Sequence, residues 1–206
     1  MDAPIPDETS GAIESQDPAR RGAGRSGDNL RSDSLQSGTL HIAELTAAAP
    51  GPLLAAAREL LLEYGQFVIA QPGAARFCFG SLQQEADGLP DSFLSQGGAS
   101  LLALAGGAPV GFVAWRAISG PAIKSDSWEL KRLWVRPSAR GIALGRRLTQ
   151  AVLDRAMAAR RAAIYLDTAP QSMASAHRLY LDMGFTPCAP YNDNPVEGLV
   201  WMVKFL

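Results

Sequence analysis

The chain has 206 residues, 47% of them hydrophobic, with 19 basic against 20 acidic side chains. That length supports one domain with a sizeable core rather than two, and a formal net charge of -1 excludes a strong overall field for nucleic acid or an anionic membrane. Whatever this protein binds by charge, it must bind through a local cluster.

Residues 1–39 are rich in Ser, Gly, Pro, Asp and Arg, hold no aromatic residue, and carry seven acidic against four basic side chains. Such a segment cannot bury enough apolar surface to offset its ordering entropy, so a disordered tail is expected there and a folded domain over 40–206. The tail contains GAGRSG at 22–27, which matches GxGxxG; without a strand before it and a helix after it, that spacing does not make a dinucleotide site. The acids argue against a mitochondrial presequence, the start lacks the pattern of a signal peptide, and no apolar run reaches the length of a membrane span, so a cytoplasmic protein is expected. Cys78 and Cys188 stand far apart without a CxxC pair or neighbouring His; two reduced thiols and no metal site are the expectation.

From Leu40 the chain reads as packed elements. LHIAEL (40–45) is a strand. PLLAAARELLLEYG (52–65) is a helix, with Leu54, Ala57, Leu61 and Tyr64 on one face, Pro52 in its first turn and Gly65 at its C-cap. Residues 66–98 break into short pieces. Two apolar runs around Gly106–Pro109 predict a hairpin over 100–118, and SWELKRLWV (127–135) a strand stopped by Pro137. Leu144, Leu148, Val152 and Ala156 place a helix at 144–160; AAIYLDT (162–168) is a buried strand; Met173, Ala176, Leu179, Tyr180 and Met183 share a helical stripe closed by Gly184; LVWMVKFL is a last interior strand. The sum is an α/β domain with a mixed sheet.

RGIALG (140–145) lies between a strand and a helix. The first turn of a helix offers unpaired N–H groups and a partial positive charge, and Gly141 and Gly145 remove side chains that would hold a phosphate away from them. From 130 to 147 there are six basic residues (Lys131, Arg132, Arg136, Arg140, Arg146, Arg147) and no acidic one. A nucleic-acid reader would interleave aromatics with such a run, and only Trp134 is there; a compact polyphosphate fits better. No Gly-Lys-Ser/Thr follows, so this is not a P-loop.

ELKRLWVRPSARGIALGRRL, IYLDT and AHRLYLDMGF together resemble the GCN5-related N-acetyltransferase (GNAT) superfamily, and PYNDNPVEG is similar to a small-molecule branch of it. The resemblance covers about 40–206 and is most specific over 129–198. It implies a mixed, mostly antiparallel central sheet flanked by helices, with a splayed parallel strand pair holding acetyl-CoA. It also implies that Arg140, Gly141, Ile142, Ala143, Leu144, Gly145 and Arg146 bind the pyrophosphate, and that main-chain groups of Leu133, Trp134 and Val135 pair with the pantetheine arm like an added strand. Ala143 stands where the family's loop has a central Gly; if that position needs positive φ, Ala costs about 1–2 kcal/mol. Met173 stands where many members have an Asn that touches the coenzyme, so that contact is expected to be absent.

Moving an acetyl group from a thioester to an amine requires a deprotonated nitrogen, a held oxyanion and a protonated leaving thiol. On spacing alone Tyr180 belongs to a core stripe; the resemblance makes it the acid that protonates the sulfur. Glu129, at the start of the strand feeding the loop and alternating in phase with Lys131, Leu133 and Val135, is the candidate base, with a water relay as the alternative. His177 is a surface histidine on this reading, and His41 lies in the first strand; neither improves on Glu129 as the base. Residues 76–98 and 186–198 are expected to wall the acceptor site, with Phe79, Tyr191 and Asn192 contributing. The expected partners are acetyl-CoA and a primary amine on a small molecule, with no nucleic acid, membrane or metal; a homodimer stays open. A coenzyme-sensing module without catalysis is the competing reading, and a basic-patch nucleic-acid binder a weaker one.

Overall fold

A computed structural model describes residues 39–71 and 79–206, with side chains outside 72–80. The expected tail and its GAGRSG run, Cys78 and the Phe79 side chain lie outside these. Seven strands form one sheet in the order β1-β2-β3-β4-β5-β7-β6. They are β1 (Leu40–Leu45), β2 (Ala99–Ala105), β3 (Ala108–Ile118), β4 (Ser127–Val135), β5 (Ala163–Thr168), β6 (Thr186–Pro187) and β7 (Val200–Phe205). Among the described residues only β4 and β5 run parallel; every other pairing there is antiparallel. The helices are α1 (Gly51–Ile69), α2 (Phe79–Asp87), α3 (Asp91–Leu94), α4 (Leu144–Ala158) and α5 (Ala174–Asp182), and among the described residues none is long and apolar enough to cross a membrane.

The β2–β3 turn follows from its glycines. Gly106 and Gly107 take φ of +56° and +85°, the pair of left-handed residues that a two-residue hairpin loop demands. Helix α1 departs from the expected end at Gly65 and continues to Ile69. Val68 is buried and Phe67 packs on Trp134 at 5.2 Å between ring centroids, so tertiary contact outweighs the local stop signal. Two cores result. On one face α4 and α5 cover Leu101, Val113, Trp128, Leu130 and Ile164; on the other α1, α2 and α3 cover Leu102, Phe112, Ala114 and Trp134.

The feature that positions the site is a break in β4. Ala114 of β3 faces Lys131 and Phe112 faces Trp134, so Arg132 and Leu133 together oppose Val113, and Arg132 adopts φ +59°. A bulge of this kind shifts the side-chain phase by one residue. Trp128 and Leu130 therefore point to the α4 side before the bulge, and Leu133 and Val135 do so after it. The expected alignment of Glu129 with Leu133 and Val135 is thus corrected: Glu129 lies on the opposite face. Pairing of β4 with β5 also stops at Glu129–Tyr165, although β4 runs on to Val135 and β5 to Thr168. The two parallel strands splay apart beyond that point.

Candidate active site

The splay opens into a cleft of about 340 Å³. One wall is Leu133–Val135, whose edge toward β5 has no strand partner; the floor is the loop 139–143 and the first turn of α4; the far wall is Ser172, Met173, Ala176 and Leu179, with Tyr64 and Phe67 above. Of the ten residues expected to hold the coenzyme, nine line this cleft. Ile142 instead packs against the core beneath α4. Tyr64, Ala176 and Leu179 read in the sequence only as residues of apolar helical faces, and Phe67 fell beyond the expected helix, because spacing marks a buried face without saying what it faces.

The loop's backbone is left-handed at two positions. Gly141 takes φ +84°, and Ala143, the residue capping α4, takes φ +57° and ψ +22°. A turn with left-handed residues on both sides of Ile142 can bring neighbouring N–H groups to one side, and no side chain caps the helix, leaving its first-turn donors to the cleft. Gly145 lies where α4 meets α5: a Cβ there would stand 3.4 Å from Leu179 Cδ2, an ordinary contact.

The six basic residues divide. Lys131 pairs with Glu129 at 3.5 Å, Arg132 with Glu85 at 2.9 Å, and Arg136 with Glu59 at 2.6 Å and Glu63 at 2.7 Å. These carboxylates come from α1, α2 and earlier in β4, so the local charge excess is half neutralised by the fold. Burial alone would raise the Glu63 carboxyl, but hydrogen bonds from Arg136 and Trp134 and the Arg136 charge hold it below the usual range. Arg140 lies over the Trp134 ring at 5.2 Å and donates from Nε to the Val135 carbonyl at 3.2 Å. Arg146, half exposed, reaches Asp182 only at 3.7 Å. Arg140, Arg146 and the exposed Arg147 are the charges left near the loop.

Tyr180 is 5% exposed, stacks edge-on against Phe185, lies behind Leu179 rather than in the cleft lining, and has no hydrogen-bond partner for its hydroxyl among the described residues. Burial, then the nearness of Tyr64 and Asp167, pushes its phenol well above the ordinary value, so it stays protonated. Glu129 is 1% exposed and fully engaged: Arg116 Nε donates to it at 2.7 Å, Tyr191 at 3.1 Å and Asn192 at 3.2 Å. It lines a separate cavity of about 310 Å³ with Gln96, Arg116, Ile118 and Asn192. Tyr191 and Asn192 of the 186–198 loop therefore meet Glu129 rather than the cleft. His41 is exposed and His177 partly buried, and neither lines the cleft. Cys188 is a free thiol pushed up by burial.

Known proteins agree with this geometry. The model of the Acetyltransferase (GNAT) family matches residues 58–185. An uncharacterised N-acetyltransferase of Schizosaccharomyces pombe is 34% identical over 96 residues, covering 47% of this chain and 56% of its own, and an IAA acetyltransferase of Azospirillum brasilense is 39% identical over 72 residues, covering 34% and 46%. The chain thus spans about half the length of these curated relatives. Among solved structures, the PaiA N-acetyltransferase of Thermoplasma acidophilum in complex with coenzyme A superposes with a TM-score of 0.62 at 17% identity, over 82% of this chain and 99% of that one.

Proposed function

The chain belongs to the acetyltransferase (GNAT) family, and we propose that it transfers the acetyl group of acetyl-CoA to a small primary amine by direct attack of the nitrogen. The observation that carries this reading is the union, in one cleft, of an unpaired strand edge at Leu133–Val135 with a left-handed loop at a helix N-terminus. The first suits an extended amide-bearing arm and the second a diphosphate, and acetyl-CoA contains both. The match to a relative solved with coenzyme A supports the same ligand.

In this reading Gly141–Arg146 amides, with Arg140 and Arg146, hold the diphosphate, and the β4 edge orients the arm so that the thioester reaches the splay. Held in place, the coenzyme presents an activated acyl carbon; orientation supplies much of the rate gain. The freed main chain beyond the bulge donates to the carbonyl oxygen as charge develops on it. The nitrogen attacks as a neutral amine, having released its ammonium proton to water. Tyr180 donates its proton to the departing sulfur and regains one from the nitrogen through solvent, so the net result is an amide and a free thiol.

Glu129 is spoken for by Arg116, Lys131, Tyr191 and Asn192, and we assign it to holding the 186–198 loop, with water relaying the amine's proton. The test is a panel of primary alkylamines, polyamines and amino acids offered with acetyl-CoA while free thiol is followed. Thiol release with at least one amine is expected. Absence of calorimetric heat with acetyl-CoA and with CoA at moderate ionic strength, for folded protein, overturns the reading.

A further inference from the structure

On the face of the sheet away from α4, a second cavity of about 310 Å³ opens beside Glu129, the last residue of β4 to pair with β5. Gln96, Arg116, Ile118, Ile123 and Asn192 are among its walls, and it shares no residue with the coenzyme cleft. The geometry points to this cavity as a carboxylate subsite, in which Arg116 receives the acidic end of an acceptor whose amine lies several carbons away. The inference rests on the acetyltransferase reading above and names the acceptor class: an ω-aminocarboxylate rather than a plain alkylamine or a polyamine.

Glu129 decides the sign of the charge that fits. It is the one carboxylate among the described residues of the wall. Arg116 Nε donates to its Oε2 at 2.7 Å, and Lys131, Tyr191 and Asn192 donate to its Oε1 at 3.5, 3.1 and 3.2 Å. Those are as many donors as a carboxylate accommodates, so a cationic ligand finds no open acceptor there. Two cations also face this single carboxylate, which leaves one positive charge in excess. The nearest further acid, Asp167, does not line the cavity; it is joined to Glu129 only through the Asn192 amide and stands on β5, two strands from Arg116. The field is therefore positive at the Arg116 end, where an anion is attracted and a cation repelled.

Arg116 has the donors to use it. Its Nη1 donates to Gln96 Oε1 at 3.2 Å, its Nη2 has no acceptor among the described residues, and its side chain is 34% exposed. Because Glu129 holds Nε, the planar fork is fixed before a ligand arrives, and such a fork matches a carboxylate. Ile118 and Ile123 supply an apolar wall for the methylenes that follow. Spacing then sets the class. Arg116 lies opposite Glu129 on β3, one strand away from the β4–β5 gap, and the bulge at Arg132 lies three residues beyond Glu129. With about 4.8 Å between strands and about 3.3 Å per residue, a nitrogen meeting the thioester at the splay is on the order of 10 Å from the Arg116 backbone. The arginine side chain covers part of that distance and the acceptor must span the rest. An α-amino acid carries both groups on one carbon and cannot. The carboxylate takes no part in the transfer: the amide forms at the distant amine and the thiol leaves as before.

The test compares δ-aminovalerate with n-pentylamine, the same chain without the carboxylate, as acceptors from acetyl-CoA. It also follows binding of amine-free valerate to the CoA-loaded protein by calorimetry. A kcat/KM at least tenfold higher for δ-aminovalerate is expected, with valerate competing against it and not against acetyl-CoA. Arg116→Gln is expected to bring the two acceptors within twofold of each other and to abolish valerate binding, whereas a purely structural Arg116 would lower both acceptors together and preserve their ratio. Gln96→Glu, at an exposed position, sets a carboxylate against the same Nη1 and is expected to have the same effect; it decides the matter if circular dichroism shows Arg116→Gln unfolded. A wild-type ratio near one, or a ratio and valerate binding that survive in the deciding variant, overturns the subsite. Wild-type protein that binds acetyl-CoA and releases no thiol with any amine overturns the transferase reading instead, and valerate binding with its loss in Gln96→Glu then decides the subsite alone.

Discussion

Arg132 and Glu85 are joined by two hydrogen bonds of 2.9 and 3.0 Å across 47 positions of sequence, at the one residue of β4 whose backbone turns left-handed. The pair ties α2 to the bulge that opens the parallel strands. Because Glu85 is a quarter exposed, the penalty for stranding its partner falls below that of a fully buried pair. Glu85→Gln is expected to lower the unfolding free energy by about 1–2 kcal/mol, read as a lower urea midpoint with an unchanged slope.

Ala143 holds an αL conformation at φ +57° that glycine adopts without strain. Ala143→Gly relieves about 1–2 kcal/mol of that strain and gives back about 0.5–1 in chain entropy. A net gain of some tenths to about 1 kcal/mol in stability is expected, with acetyl-CoA affinity equal or tighter; a lower Tm would show that the loop is not strained there.

Arg140 has no carboxylate partner among the described residues and lies beside the loop, stacked on Trp134. Arg140→Ala is expected to weaken acetyl-CoA about tenfold, and the wild-type affinity to fall more steeply with added salt than that of the variant. Parallel salt curves would remove Arg140 from diphosphate binding.

Replacing Tyr180 by Phe separates chemistry from packing. Its hydroxyl has no partner to lose, so Tm should hold, coenzyme Kd should stay within twofold, and turnover should fall by about a hundredfold or more. Equal turnover would return Tyr180 to a packing role.

Glu63 carries the pH prediction. Its folded-state pKa lies below the ordinary 4.5, so its contribution is complete above that value and is lost as pH falls through the folded value. Glu63→Gln should reduce stability at pH 7 and flatten the loss of stability below pH 4.5. Because Trp134 Nε1 donates to Glu63 at 3.1 Å, tryptophan emission should follow the wild-type transition and lose it in the variant.

The order of elements, the hairpin at Gly106–Gly107 and the left-handed loop before α4 were legible in the sequence, because each rests on interactions between near neighbours: apolar periodicity, left-handed glycines, a helix N-terminus. Tertiary structure alone decided the rest. Gly65 reads as a stop, yet α1 continues because Phe67 and Val68 find the sheet. Glu129 reads as in phase with Leu133, yet a bulge at Arg132, held by a carboxylate 47 positions away, turns the strand over between them. The basic run over 130–147 reads as a field for anions, yet Arg132 and Arg136 meet carboxylates from other elements and Lys131 meets Glu129 of its own strand. Asp167 lies within the IYLDT segment, but its hydrogen bonds from Asn192 and Asn194 exist only once β5 and the 186–198 loop have folded together. Short-range patterns are written in the chain, whereas phase, pairing and the freedom of a charge depend on partners that only long-range contact supplies.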